Sequence, residues 1–482
     1  MNKKCFYLKA LSVFPLITLL CCALGNKSAV ASEAVTPSTN DSASEMLFSK
    51  EMIRSDFDVL YQSLLDTHYN PYAYVSKDTL ESRYSSLEAQ IGNKPYSPLA
   101  ATKLFQTLVS SLNNGHTEVD FPVSSYLAYA EAGGTLFPFD LAFENGKALI
   151  RANYSGNVSI SKGAQLLSIN NVEINDILST ISPLISAERP YFKLAKLEVL
   201  SFPRYYWYAF GESDAYTVKV LNEGVVSTHS LSPISVFEGF EEKKDEVLRA
   251  QQILTFYDNV AYLNPGHFSG DEKQFKAFID EAFLTINKKR SKALIIDLRY
   301  NGGGNDSFSD HMVSYIADAP FKWNATFQLR TSKRLKEDTR ERRDLDNPYW
   351  QAILKHNAGE RYSYEFDEYP PVAQNKRYSG DVYVLVNRHS HSQASVTAAQ
   401  IQDYGWATLV GEETGDYPTL YASQFQYALP NTGITVKIAK GYIVRVSGSE
   451  AEQGVQPDIV IRDHLLDDED EILDHLLNEL SY

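Results

Sequence analysis

The stretch from residue 381 to residue 416 constrains the fold more tightly than any other part of the chain. It opens with an apolar, β-branched run at 382–386, the pattern of a buried strand. A polar turn follows at 387–392, then a helical segment at 393–403 stopped by Gly405, then a second apolar strand at 407–410 and a polar loop at 411–416. Ser392 therefore sits where a strand hands over to a helix, held by rigid elements near the positive end of the helix dipole. The backbone N–H of Gln393 is then free to face an oxyanion. The same position suits an ordinary cap, with Ser390 or Ser392 accepting hydrogen bonds from the first turn.

From residue 259 the α/β signals continue. Residues 260–263 read as a strand and 272–287 as an amphipathic helix with Phe275, Phe278, Ile279 and Phe283 on one face. Residues 293–298 form an apolar strand interrupted only by Asp297, expected to pair with Arg299. The strand runs into Asn301-Gly302-Gly303-Gly304, and consecutive glycines after a buried strand signal a sharp turn or close backbone approach. The spacing is not that of a nucleotide loop and no lysine stands nearby for a phosphate. The basic, polar stretch 333–378 reads as a solvated insertion or a lid over a site, and residues 472–480 as a terminal helix.

Upstream, Phe57, Leu60, Tyr61, Leu64 and Leu65 recur at helical spacing, as do Leu104, Phe105, Leu108 and Leu112. The second helix ends in Asn113-Asn114-Gly115-His116-Thr117, so His116 occupies a helix-to-strand corner, where a histidine is structural as readily as catalytic. Residues 136–236 are β-rich with short turns and one or two helices. The expected organisation is a signal peptide over 1–31, a flexible leader over 32–45, a helical segment over 46–125, a β-rich module over 126–235 and a catalytic domain over 236–482.

Charge and cysteine usage narrow the function. A net charge of −16 over 482 residues argues against nucleic acid and anionic lipid as partners. The three cysteines are Cys5, Cys21 and Cys22. They fall in a segment with Lys3 and Lys4 ahead of an apolar run and Ala29-Val30-Ala31 ahead of Ser32, the pattern of a cleaved secretory leader. A chain cut after Ala31 carries no thiol nucleophile, disulfide or zinc–thiolate site and is secreted or periplasmic. A lipid-bearing Cys22 is the alternative. No later run of about twenty apolar residues marks a membrane span.

Taken in order, Gly115-His116-Thr117, the segment 162–174, 294–304, Ser390-His391-Ser392-Gln393-Ala394, Gln402-Asp403-Tyr404-Gly405, 410–415 and Gly454-Val455-Gln456-Pro457-Asp458 resemble the tail-specific (C-terminal processing) serine peptidase family over most of the chain. The resemblance implies an α/β fold: a Clp protease/crotonase-like spiral of ββα units, preceded by the helical segment and a PDZ-like module. Many members of the family use a lysine base in a Gly-Lys-Gly loop. Here the corresponding loop reads Gly415-Asp416-Tyr417-Pro418, so the chain is similar instead to the tricorn-core branch, with a histidine base.

Carried over residue by residue, the resemblance implies Ser392 as nucleophile, His116 as general base, and Glu450, or its rival Glu452, as the acceptor behind the histidine. Gly303, Gly304 and Gln393 would supply oxyanion N–H donors, and Gly134 and Leu136 would lie in a loop that captures a substrate carboxyl terminus. No metal or cofactor is implied, and the partners would be peptides or unfolded protein. This chemistry is self-consistent: a serine hydroxyl needs a base within reach, and the base needs an orienting acceptor. With an imidazole of ordinary pKa, kcat/KM falls below about pH 6.5. His391 and His267 are the spare bases. The alternative reading is a non-proteolytic peptide- or lipid-binding protein on the same fold.

Overall fold

The computed structural model describes residues 46–238, 251–467 and 469–480. The expected leader peptide, the segment 32–45 and all three cysteines lie outside the described residues.

The first described helices, Lys50–Thr67, Lys77–Glu88 and Pro98–Val109, are each entered through a serine. The hydroxyls of Ser49, Ser76 and Ser97 accept the N–H of Met52, Thr79 and Ala100, which satisfies a donor the helix itself cannot. Their apolar faces bury Ile53, Phe57, Leu60, Leu64, Phe105 and Leu108 against Phe425, Val436 and Ile438. Those partners belong to the antiparallel strands Leu420–Ala428 and Thr435–Val444. The helical segment therefore shares its core with the C-terminal part of the chain. Leu335 and Ile353 complete the same cluster. The stretch 333–378, read from its polarity as a solvated insertion or a lid, contains the helices Lys333–Arg342 and Pro348–Lys355 that carry these two residues.

A separate core draws its buried residues from 126–236. Five strands run in the order Phe139–Glu144, Lys147–Asn153, Gln165–Ile169, Tyr216–Asn222 and Val225–Leu231. The helices Ile174–Ile181, Pro190–Leu200 and Phe202–Phe210 belong to the same segment, one more than the composition led us to expect. Phe137, Phe139, Phe202, Tyr206 and Tyr216 pack edge-to-face and stacked at its centre.

The third layer is a six-stranded sheet in the order Ile253–Tyr257, Val260–Asn264, Ala293–Asp297, Asp381–Val386, Thr408–Gly411 and Ile459–Val460. The first pair is antiparallel and every later pair parallel. Its central strands bury both faces, which explains their unbroken apolar runs. The helices Glu272–Lys289 and Gln393–Tyr404 lie in the crossovers between parallel strands.

One buried charge cluster joins this sheet to the β-rich module. Arg388, just past the strand Asp381–Val386, donates from Nε to Glu198 Oε2 at 2.8 Å and from Nη1 to both oxygens of Glu412 at 2.9 and 2.7 Å. His389 Nε2 meets the same Glu198 oxygen at 2.8 Å, and Phe143 N–H donates to Glu198 Oε1 at 2.7 Å. Burial pushes the Glu198 carboxyl up, but Arg388 and His389 outweigh it and hold the pKa at about 2. Arg388→Met leaves two carboxylates buried without their cation. We expect a loss of about 3–5 kcal/mol of stability, read as a lower thermal midpoint, with partial recovery when Glu198→Gln is added. An unchanged midpoint would mean that the cluster is not a structural joint.

Candidate active site

Parallel pairing brings three loops to one edge. Asp297 is in register with Leu385 and Val386 with Gly411. The segments 298–305, 387–392 and 412–416 thus leave the carboxyl ends of three adjacent strands together, the edge where sites form in open α/β sheets. Ser392 lies in the middle loop, Gly303 in the first and Asp416 in the third.

Ser392 adopts φ 55°, ψ −125°, a conformation rare for a residue with a side chain. Its neighbours hold it there. Ser392 N–H donates to Asp416 Oδ2 at 2.9 Å, His391 N–H donates to Asn301 O at 3.1 Å, and Ala394 N–H donates to His391 O at 3.0 Å. Neither serine caps the helix. Ser392 makes no side-chain cap bond, and Ser390 Oγ donates to Leu298 O at 2.9 Å, one strand away. The Ser392 hydroxyl is left free on a sharp strand-to-helix turn, the geometry that exposes a nucleophile. Gly303 closes against it at φ 83°: a Cβ there would stand 2.6 Å from Gln393 N and 2.7 Å from Ser392 Cβ.

His116 arrives from the other side. Its segment precedes the short strand Glu118–Val119, which pairs with Thr435–Val444 in the antiparallel sheet. Asn114 Nδ2 donates to Tyr421 O at 3.0 Å, Gln424 Nε2 donates to His116 O at 2.9 Å, and Ala439 N–H donates to Thr117 Oγ1 at 3.1 Å. Gly115 N–H donates to Glu188 Oε1 at 2.6 Å, and Lys196 Nζ donates to Gly115 O at 3.2 Å. Thus clamped, His116 is 5% exposed, and its Nε2 lies 3.8 Å from Asp416 Oδ2. His391 Nε2 lies 3.4 Å from the same oxygen, with the two imidazoles 5.0 Å apart centre to centre.

Burial dominates the electrostatics. It lowers the His116 pKa to about 4, with Glu188 opposing and Lys196 reinforcing the shift. It holds His391 well below the ordinary histidine value, helped by Lys196 and His116. Burial pushes Asp416 up to about 6 against the pull of Lys196 and of the Ser392 and Tyr417 N–H groups. Near neutral pH both imidazoles are therefore unprotonated and able to accept a proton, beside an ionised carboxylate.

The model of peptidase family S41 matches residues 259–461, which include the glycine loop, Ser392 and Asp416. Residues 259–461 form a peptidase family S41 domain. A tail-specific protease of Haemophilus influenzae is 26% identical over 188 residues, a match that covers 38% of this chain and 22% of that protein. The aligned part thus spans about a fifth of that relative. Mature CPAF aligns over 89% of this chain and 96% of its own at a TM-score of 0.63 and 16% identity. Mature CPAF complexed with lactacystin aligns over 89% and 97% at 0.60 and 16%. These structural likenesses extend well beyond the S41 domain, over the helical segment and the β-rich module, and they concern the fold.

Against the S41 frame, the expected site residues fall in different places. Gly303 closes on Ser392 and Gln393, and Ser392 and His116, the latter outside the matched segment, meet at Asp416 Oδ2. No hydrogen bond joins Ser392 to His116, and neither ring nitrogen of His116 has a hydrogen-bond partner. Glu450 does not stand behind the histidine. It is exposed and accepts from the Tyr442 hydroxyl at 2.7 Å, and the carboxylate beside His116 is Asp416. The Gly303 N–H is already used, donating to Asn301 Oδ1 at 2.8 Å, which leaves Gly304 and Gln393 as the open donors of that set.

In the module, Gly134 N–H donates to Tyr129 O at 2.9 Å and Thr135 N–H to the Tyr129 hydroxyl at 2.8 Å. Leu136 is buried in the core and pairs with Ile234. These groups are occupied, so Gly134 and Leu136 offer no cradle for a carboxyl terminus. His267 is exposed, and its Nδ1 accepts the Gly302 N–H at 3.1 Å. The lysines downstream of the loop are engaged elsewhere: Lys437 pairs with Asp120 at 2.7 Å, and Lys440 donates to Ser423 O and Oγ, both at 2.8 Å.

Asp416, Glu188 and Lys196 were missed. Only Asp416 left a trace in the sequence, as the residue standing where the resembling family keeps its lysine loop. Gly303→Ala forces a methyl group into the Ser392–Gln393 backbone at a positive φ. We expect the rate at which a fluorophosphonate labels Ser392 to fall about 100-fold with the far-ultraviolet dichroism preserved. Undiminished labelling would show that the close approach of the two loops is dispensable.

Proposed function

We propose that this chain is a serine endopeptidase that cleaves peptides or unfolded protein segments through an acyl-enzyme on Ser392. The carrying observation is the convergence of Ser392 N–H, His116 and His391 on one oxygen, Asp416 Oδ2. Ser392 Oγ attacks the substrate carbonyl and gives its proton to His116. The N–H groups of Gln393 and Gly304 stabilise the oxyanion, and His116 returns the proton to the leaving amine. A water then deprotonated by His116 hydrolyses the ester. The closing of Ser392 on His116 that this requires is a tightening expected when substrate binds. Asp416, in place of Glu450, offsets the positive charge that develops on the imidazole. This is a histidine-base branch of the family. A secreted or periplasmic setting follows from the leader reading, and no helix among the described residues is long and apolar enough to cross a membrane.

The missing Ser392–His116 bond is the one feature that favours the second reading, a peptide- or lipid-binding protein on this fold. Incubating the full chain and its Ser392→Ala and His116→Ala variants with a mixed peptide and unfolded-protein pool, with products read by mass spectrometry, separates the two. Cleavage by the parent that disappears in both variants is expected. Equal product patterns for all three would leave the binding reading in place.

The acid limb of the pH profile is a further test. Asp416 takes up the first proton, at about 6, whereas His116 stays neutral until about 4. The two are neighbours, so the limb belongs to the pair. As pH falls through 6 the carboxylate charge is lost, and kcat/KM should drop there. In Asp416→Asn the residual activity should hold to lower pH, down toward the His116 value. A limb that stays in place in Asp416→Asn would count against this assignment.

A further inference from the structure

We propose that His116, His391 and Asp416 form a binding site for a divalent transition-metal ion of zinc type, and that the ion closes the catalytic centre by occupying the base. The second half of this inference rests on the peptidase reading; the metal site itself does not. One ligand atom from each of the three residues lies within 4.8 Å of the others. His391 Nε2 and His116 Nε2 stand 3.4 and 3.8 Å from Asp416 Oδ2. A tetrahedral zinc with bonds of about 2.0–2.1 Å places neighbouring ligand atoms about 3.3 Å apart, so the His391–Asp416 edge is already set, the His116–Asp416 edge is nearly so, and the third, within 4.8 Å, would close by side-chain rotation.

Polar satisfaction supplies an independent argument. Both nitrogens of His116 and Nε2 of His391 are buried without a hydrogen-bond partner, a state that ordinarily costs stability and calls for a ligand. Asp416 Oδ2 accepts one N–H, from Ser392, and keeps a lone pair for a cation. Two imidazoles and one carboxylate suit zinc rather than calcium or magnesium, which prefer all-oxygen shells. His391 is the part-exposed member of the set, so the ion would enter past its ring. Zinc on His116 takes up the lone pair that would receive the Ser392 proton, which makes the ion a reversible inhibitor.

The test is equilibrium dialysis of the full chain against zinc chloride in metal-free buffer, with His391→Gln and His464→Gln alongside. His464 belongs to a rival surface cluster with Asp467 and Glu471. We expect one zinc per parent chain, an affinity weakened at least about tenfold in His391→Gln, and no such loss in His464→Gln. Diethylpyrocarbonate modification of the parent, mapped by mass spectrometry, needs no variant: zinc should protect His116 and His391. Absence of bound zinc, binding that fails only in His464→Gln, or unprotected His116 and His391 would each overturn the site. Zinc should also slow fluorophosphonate labelling of Ser392, and a chelator should restore it. Labelling that proceeds unchanged on the zinc-loaded chain would overturn the gating role. A chain never labelled would count against the peptidase reading, while the dialysis still decides the metal site.

Discussion

The site depends on a single carboxylate. Asp416 receives the N–H of Ser392 on Oδ2 and that of Tyr417 on Oδ1, at 2.9 Å each, and is fully buried. A serine at φ 55° would relax toward an ordinary region if nothing held it. The bond to Asp416 and the contact with Gly303 together remove that freedom. Both partners sit on loops leaving adjacent parallel strands, so sheet register is what places them. The same Oδ2 lies 3.8 Å from His116 Nε2 and 3.4 Å from His391 Nε2. Holding the serine backbone and, in the proposed mechanism, offsetting charge on the imidazole thus fall to one residue.

The same economy appears one shell out. Arg388 follows directly on the strand that leads to Ser392, and its partner Glu198 lies on the helix Pro190–Leu200 of the β-rich module. That helix also carries Lys196, whose ammonium donates to Gly115 O beside His116 and lies 4.6 Å from the centre of the Phe192 ring. Phe192 packs on His391 at 5.0 Å between ring centres. The module thus supplies a wall, a cation and an ion-pair partner to the site. Its contribution is positional, because the amides of its carboxylate-loop candidate, at Gly134 and Thr135, are already spent on Tyr129.

What could be read from sequence follows the range of the interactions involved. The strand–turn–helix around Ser392 was legible because apolar runs, a glycine stop and a polar turn are local signals. Gly303 was legible because close approach leaves a glycine as its trace. Gly134 was placed in a carboxylate loop by resemblance alone, whereas what crowds it is the side chain and carbonyl of its near neighbour Tyr129. The helices at 333–355 were missed because Leu335 and Ile353 are too few to make a periodic pattern, yet both are buried once the N-terminal helices cover them. Motif points to Glu450 as the acceptor behind His116, whereas the carboxylate 3.8 Å from its ring is Asp416. Nothing local in a sequence reports that 300 residues of chain separate a histidine from its carboxylate.

That separation has a physical consequence. Ser392 and Asp416 belong to the parallel sheet, and His116 is tied to the antiparallel sheet through Tyr421, Gln424 and Ala439. Neither half contains Ser392, His116 and Asp416 by itself. The core that seats the His116 corner is the shared one, in which Phe57, Leu60 and Phe105 bury against Phe425 and Val436. Loosening it would shift His116 relative to Ser392 without touching the loop that holds the serine. If Ser392 and His116 act as proposed, the reaction is coupled to the docking of the N-terminal helices, since a misplacement of about 1 Å costs up to about 100-fold in rate.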